Sequence, residues 1–132
     1  MAARVLLIED NRPSLELMSY LLHAFGHTAI EASNGVDGLE LLRSERPDLV
    51  VCDIDLPRLD GYALAGRAKS DPETRGIPLV AVTALAMVGD RDRALRAGFD
   101  GYLTKPIEPE TFVQDLERYL APADGRDPIG RG

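Results

Sequence analysis

Residues 49–55 read Leu-Val-Val-Cys-Asp-Ile-Asp, a short apolar run cut off by carboxylates. A run of that length, apolar on both faces, suits a strand covered by helices on each side, with the acidic residues marking its carboxyl end. Four other runs share this character: Val5 to Ile8, Thr28 to Ala32, Leu79 to Val82, and Tyr102 to Leu103. After the first of them, Leu15, Met18, Leu22 and Phe25 recur at i, i+3, i+7 and i+10 and share one helix face, and Pro13 suits the first turn. Further helices are predicted from Val36 to Arg43, Gly61 to Lys69, about Asp90 to Ala97, and Pro109 to Leu120. In the last of these a proline again opens the helix and Phe112, Leu116 and Tyr119 face the core. Strand and helix alternate throughout, which predicts an α/β fold of three layers around a parallel sheet.

The chain has 132 residues, 45% of them hydrophobic and 28% charged, enough for one packed core and too apolar for a disordered chain. One domain is predicted over 1–121. The Gly- and Pro-rich stretch 122–132 lacks periodicity and is predicted to be a flexible C-terminal tail. Asp and Glu outnumber Lys and Arg by 22 to 15, for a net charge of -7, so phosphate backbones are repelled and no direct nucleic-acid partner is expected. The single cysteine, Cys52, excludes an internal disulfide and reads as a packing residue in its apolar run. The longest nearly apolar run, Ile77 to Val88, is interrupted by Pro78 and Thr83 and is too short to cross a bilayer. With no secretory signal after Arg4, a cytoplasmic protein without a membrane partner is expected. His23 and His27 are four apart with Gly26 ending the helix between them, a pattern that reads as two surface histidines. No GxGxxG, P-loop or GxSxG pattern occurs.

In an open parallel sheet, ligands bind outside the carboxyl ends of the strands. Here the first run ends in Glu9-Asp10, the third in Asp53-Ile54-Asp55, the fourth in Thr83 and the fifth in Thr104-Lys105-Pro106. Carboxylates gathered in a partly enclosed crevice repel one another unless a cation is present. Oxygen ligands completed by water suit Mg2+ better than a calcium cage. A carboxylate beside Mg2+ and a lysine is also placed to attack phosphorus, because both cations neutralise the oxygens of a transferring phosphoryl group. Singly, each residue has a plainer reading: a solvated turn for Glu9-Asp10, a strand residue for Thr83, packing for Tyr102, a surface amine for Lys105. Together and in this order the plainer readings lose weight.

The ordered set Glu9-Asp10, Asp53 with Pro57 and Gly61 behind it, Thr83-Ala84, Tyr102 and Lys105-Pro106 resembles the receiver domain of bacterial response regulators, over residues 4 to about 120. The segment Val82-Thr83-Ala84-Leu85-Ala86-Met87 is similar to receivers of hybrid kinases and to stand-alone cell-cycle regulators. The resemblance implies a flavodoxin-like (βα)5 doubly wound sandwich, with a parallel five-stranded sheet in order 2-1-3-4-5. It implies Asp53 as phosphoacceptor and Mg2+ as cofactor, held by Asp10, by Glu9 through water, and by the backbone carbonyl of Asp55. Lys105 and Thr83 would each hold a phosphoryl oxygen, Tyr102 would turn inward as Thr83 moves, and a cis bond would precede Pro106. It further implies a single-domain response regulator of two-component (phosphorelay) signalling. The expected partners are a sensor histidine kinase or histidine phosphotransfer protein and a downstream protein target, reached through the helix 4, strand 5, helix 5 face. Autodephosphorylation, and a monomer or phosphorylation-dependent dimer, complete that picture.

Two rival functions fit part of the pattern. Asp53-Ile54-Asp55 has the Asp-x-Asp form of a haloacid-dehalogenase-type phosphatase, but the other acidic pair precedes it and no cap segment is present. A receiver-like scaffold that is never phosphorylated is the other, and the complete residue set speaks against it. The Asp55 side chain, two residues past Asp53, is placed either toward the attacking water or out into solvent.

Overall fold

A computed structural model describes residues 2–84 and 88–120. Along the chain come β1 (Arg4–Ile8), α1 (Arg12–Ala24), β2 (Thr28–Ala32), α2 (Gly35–Glu45), β3 (Leu49–Asp53), α3 (Gly61–Ser70), β4 (Leu79–Thr83), α4 (Asp90–Ala97), β5 (Gly101–Thr104) and α5 (Phe112–Glu117). The strands form one parallel sheet in the order β2-β1-β3-β4-β5, as the α/β reading and the resemblance require.

Alternation along each strand sorts the core into two clusters. Val5, Leu7, Leu49, Val51, Val80 and Val82 face Leu15, Met18 and Leu22 of α1 and Phe112, Val113 and Leu116 of α5. Leu6, Ile8, Val50, Cys52 and Ala81 face Leu39 and Leu42 of α2, Leu64, Ala65 and Ala68 of α3, and Ala94 of α4. The central strands β3 and β4 are buried at every position, because helices cover both of their faces. Their polar terminal residues, Asp53 and Thr83, are thereby held rigidly at the sheet's carboxyl edge.

Helix ends follow from short polar side chains that satisfy the first free backbone donors. Asn11, Asn34 and Asp60 accept from the N–H groups of Ser14, Asp37 and Ala63. Pro13 lies in the first turn of α1, and Gly26, at φ 86°, turns the chain into β2. Helix α2 extends two residues past the predicted Arg43, to Glu45, and ends on Arg46 in the left-handed region.

Two expectations are corrected. Helix α5 starts at Phe112, so Pro109 precedes it: the carbonyl of Glu108 accepts from both Thr111 and Phe112, closing a tight turn that the proline occupies. His27 is not on the surface. It is 3% exposed, and its Nδ1 accepts the Ala3 N–H at 3.0 Å while its Nε2 lies 2.8 Å from Glu117 Oε2. Since Nδ1 is an acceptor, the ring proton sits on Nε2 and points at that carboxylate. His23 is exposed, as expected. The stretch 122–132 and Leu85-Ala86-Met87 lie outside the described residues. Among the described residues no helix is long and apolar enough to cross a membrane.

Candidate active site

Parallel register sets the site. Ile8 pairs with Cys52, so Glu9 and Asp53 leave their neighbouring strands at the same level; Asp53 in turn pairs with Val82, and Thr83 pairs with Thr104, one residue before Lys105. Oxygen atoms of Glu9, Asp10 and Asp53 all lie within 4.8 Å of one another. Glu9 and Asp53 are buried and Asp10 is exposed. Lys105 enters from β5, its Nζ 2.8 Å from Glu9 Oε1 and 3.3 Å from Asp53 Oδ2. The bond after Lys105 is cis, as the resemblance implied.

The remaining oxygens have assigned partners. Glu9 Oε2 accepts the Asn11 N–H at 3.0 Å, and Asp53 Oδ1 accepts the Asp55 N–H at 3.1 Å. Asp10 makes no hydrogen bond or ion pair among the described residues, so its carboxylate is available to a ligand. Gly61, at the start of α3, permits the close packing behind Asp53. A Cβ there would lie 2.7 Å from Ile54 Cα and 2.9 Å from the Asp53 carbonyl oxygen.

Electrostatics show the cost of this crowding. Burial, and then the charge of Glu9, push the Asp53 pKa upward, against the lowering effect of the Asp55 N–H and Lys105. Burial alone would lower the Lys105 pKa, but its contacts with Glu9 and Asp53 outweigh burial and hold it above the usual lysine value. The Cys52 thiol is raised, chiefly by burial and then by Asp53, Glu9 and Asp60, so it stays protonated and inert as a packing residue. One ammonium, paired with Glu9 and Asp53, beside three carboxylates leaves net negative charge at oxygen atoms a few ångströms apart. That donor set fits a small hard cation.

The other expected residues lie around this centre. Thr83 is 3% exposed at the end of β4, and its carbonyl accepts the Lys105 N–H at 2.9 Å. The Asp55 side chain is exposed, while its N–H is turned to Asp53. Tyr102 is half-buried against the cluster formed with α2, α3 and α4, and its hydroxyl is already buried, with no hydrogen-bond partner among the described residues. Burial, then Asp90 and Tyr62, raise its pKa. A cavity of about 380 Å³ lined by Ser14, Leu17, Ala84, Lys105, Pro106 and Ile107 gives access to Lys105 between α1 and the strand end.

Two contributors were not legible beforehand. Asn11 orients Glu9 through its backbone N–H, and the Asp55 N–H orients Asp53; no side-chain pattern announces a backbone donor. Gly61 was legible as a turn or helix-end residue and as part of the receiver resemblance, but not as the site of a close approach to Asp53 and Ile54.

Comparison with known proteins agrees with this geometry. Residues 5–117 match the family model described as the response regulator receiver domain. The chain is 39% identical over 123 residues to the polar-differentiation response regulator DivK of Brucella anthropi, covering 93% of this chain and 100% of the relative. Among solved structures it is similar to the receiver domain of a signal transduction histidine kinase from Syntrophus aciditrophicus, at 30% identity and TM-score 0.85, covering 96% of each chain. It is also similar to the receiver domain of a sensor histidine kinase from Pseudomonas aeruginosa PAO1, solved with a magnesium ion coordinated in the active site cleft. That match is at 29% identity and TM-score 0.83, covering 91% of this chain and 98% of the other. The sheet order, the acidic edge and these matches converge: the chain belongs to the response regulator receiver domain family, as a DivK-like regulator of two-component signalling.

Proposed function

We propose that this chain is a cytoplasmic single-domain response regulator. Its Asp53 accepts a phosphoryl group from the phosphohistidine of a sensor histidine kinase or a histidine phosphotransfer protein. The observation that carries this reading is Asp53 itself, a buried carboxylate 3.3 Å from Lys105 Nζ and clustered with Glu9 and Asp10. The full-length correspondence with a stand-alone relative supports the single-domain form.

In the proposed reaction an Asp53 carboxylate oxygen forms a bond to phosphorus while the P–N bond of the phosphohistidine breaks and its electron pair returns to the imidazole. Asp10, Asp53, the Asp55 carbonyl and, through water, Glu9 would hold Mg2+. When bound, the ion supplies positive charge against the carboxylates and the oxygens of the transferring group. The Asp55 N–H fixes the nucleophile's orientation through Oδ1. Lys105 trades its contact with Asp53 for a phosphoryl oxygen, and the Thr83 hydroxyl takes another. The added charge and acceptor oxygens pull Thr83, and Tyr102 with it, which changes the face of α4, β5 and α5 offered to a downstream protein target. That change sets the balance between a monomer and a phosphorylation-dependent dimer. Water then attacks phosphorus, the P–O bond to Asp53 breaks with its electron pair returning to the carboxylate, and inorganic phosphate leaves, which returns the protein to its starting state.

The test is labelling by acetyl phosphate with and without Mg2+. Wild type is expected to label only with Mg2+, and Asp53→Ala not at all; an unlabelled wild type or a labelled variant overturns the proposal. Asp55→Asn is expected to change the lifetime of the phosphorylated species by a few-fold, because a charge two residues from the acyl phosphate would alter water attack. An unchanged lifetime excludes that role.

A further inference from the structure

Away from the acidic edge, α2 and α3 border an open, shallow valley. Val36, Arg58 and Leu59 line one stretch, of about 350 Å³, and Ala63, Gly66 and Asp71 line the next, of about 590 Å³; Arg43 and Arg67 border both. None of these residues belongs to the phosphoacceptor site.

Two features of the valley are unfavourable to the fold. Leu59 N–H donates to the Pro57 carbonyl at 2.8 Å, closing a three-residue turn around Arg58 at φ 71°. That is the rarer, strained form of such a turn, which glycine adopts freely and arginine does not. Gly66 sits inside α3, where glycine weakens a helix relative to alanine. Packing does not require it, since a Cβ there would meet nothing within 4 Å. Strain held in one place and openness in another both fall on the same valley, which is the pattern expected of a surface kept for a ligand.

Charge says which ligand. The chain carries -7, yet in this valley three guanidiniums, of Arg43, Arg58 and Arg67, outnumber the two carboxylates of Glu40 and Asp71. Arg58 and Arg67 have no ion pair among the described residues, and Arg43 Nε is 3.5 Å from Asp71 Oδ2. Beside them Val36 is 39% exposed, an apolar anchor in a basic rim. From Val36 to Arg43 the valley follows about two helical turns, roughly 10 Å. Ala63 and Gly66 leave room for another backbone to approach. We propose that the α2–α3 valley is a docking groove for an acidic amphipathic helix of a partner protein. Carboxylates of that helix would meet Arg43, Arg58 and Arg67, and an apolar side chain would rest on Val36 and Leu59.

The test is an NMR titration of the full chain with a synthetic helical peptide carrying Leu at i, i+3 and i+7 flanked by Glu, beside a counterpart with Lys in place of Glu. Shifts are expected along α2, α3 and the 57–61 turn for the Glu peptide only, and they should weaken with salt. Arg67→Gln, Arg58→Gly and Gly66→Leu should each weaken binding at least tenfold, while Arg58→Gly and Gly66→Leu melt at or above the wild-type temperature. Equal binding of the Lys peptide, shifts elsewhere, or retained affinity in the three variants would overturn the proposal. So would the same shifts on adding inorganic phosphate alone, or on raising the protein concentration without peptide.

Discussion

The two ends of one sheet handle charge in opposite ways. At the amino end each acidic group meets its own donors. Asp48 accepts the Arg4 N–H at 2.9 Å, and Asp100 accepts the buried Leu79 N–H at 2.8 Å and lies 3.0 Å from Lys69 Nζ. Lys69 also reaches the carbonyls of Arg75 and Ile77, and His27 ties Ala3 to Glu117 on α5. At the carboxyl end Glu9 and Asp53 share the ammonium of Lys105 while Asp10 has no ion pair among the described residues, and the Asp53 pKa rises as burial and Glu9 oppose its ionisation. One end is satisfied by the protein alone and the other keeps carboxylates that its single lysine does not balance. The proposed function places stability at the first end and chemistry at the second.

That contrast can be probed by mutation, beginning at the satisfied end. His27→Ala removes a buried ring, its bond from Ala3 and its link to α5, and should cost about 3 kcal/mol in urea unfolding. A loss as small as that of an exposed pair would show that this end is not where stability resides. Asp100→Ala leaves the Leu79 N–H buried without an acceptor and should cost about 2 kcal/mol by the same measurement. The acidic end should respond with the opposite sign to loss of charge. Because the Asp53 pKa is raised on folding, the native state holds a proton that the unfolded chain has released between the ordinary aspartate value, about 3.9, and the raised one. In metal-free buffer this group's contribution therefore falls as pH increases through that window and stays low above it. Unfolding curves from pH 4 to 8 should show that fall in wild type. It should be absent in Asp53→Asn. The smallest effect belongs to the exposed Arg4–Glu45 pair, where Glu45→Ala should shift stability by no more than about 0.5 kcal/mol.

Most of the fold could be read from local pattern. Apolar runs of two to five residues between amphipathic segments marked all five strands, and the polar residues ending them marked the site, because a parallel sheet places consecutive strand ends on one edge. What escaped depends on partners distant in the chain. His27 reads as a turn histidine until Ala3 and, 90 positions on, Glu117 close around it. Pro109 reads as a helix opener because proline at N1 and proline in a tight preceding turn leave the same local trace. The sharing of Lys105 between Glu9 and Asp53, and the strained turn at Arg58, are set by tertiary placement. Neither has a periodicity to betray it.

Unfolding free energies of wild type and Asp53→Asn, each in EDTA and in Mg2+, test most directly whether the acidic edge is held at a cost that a cation relieves. In EDTA the variant should be the more stable, by about 1 kcal/mol, because one of the crowded charges is gone. Mg2+ at ten times its dissociation constant should add about 1.4 kcal/mol to wild type and clearly less to the variant, closing the gap or reversing it. A variant less stable than wild type without metal, or an equal gain from Mg2+ in both proteins, would contradict this reading of the site.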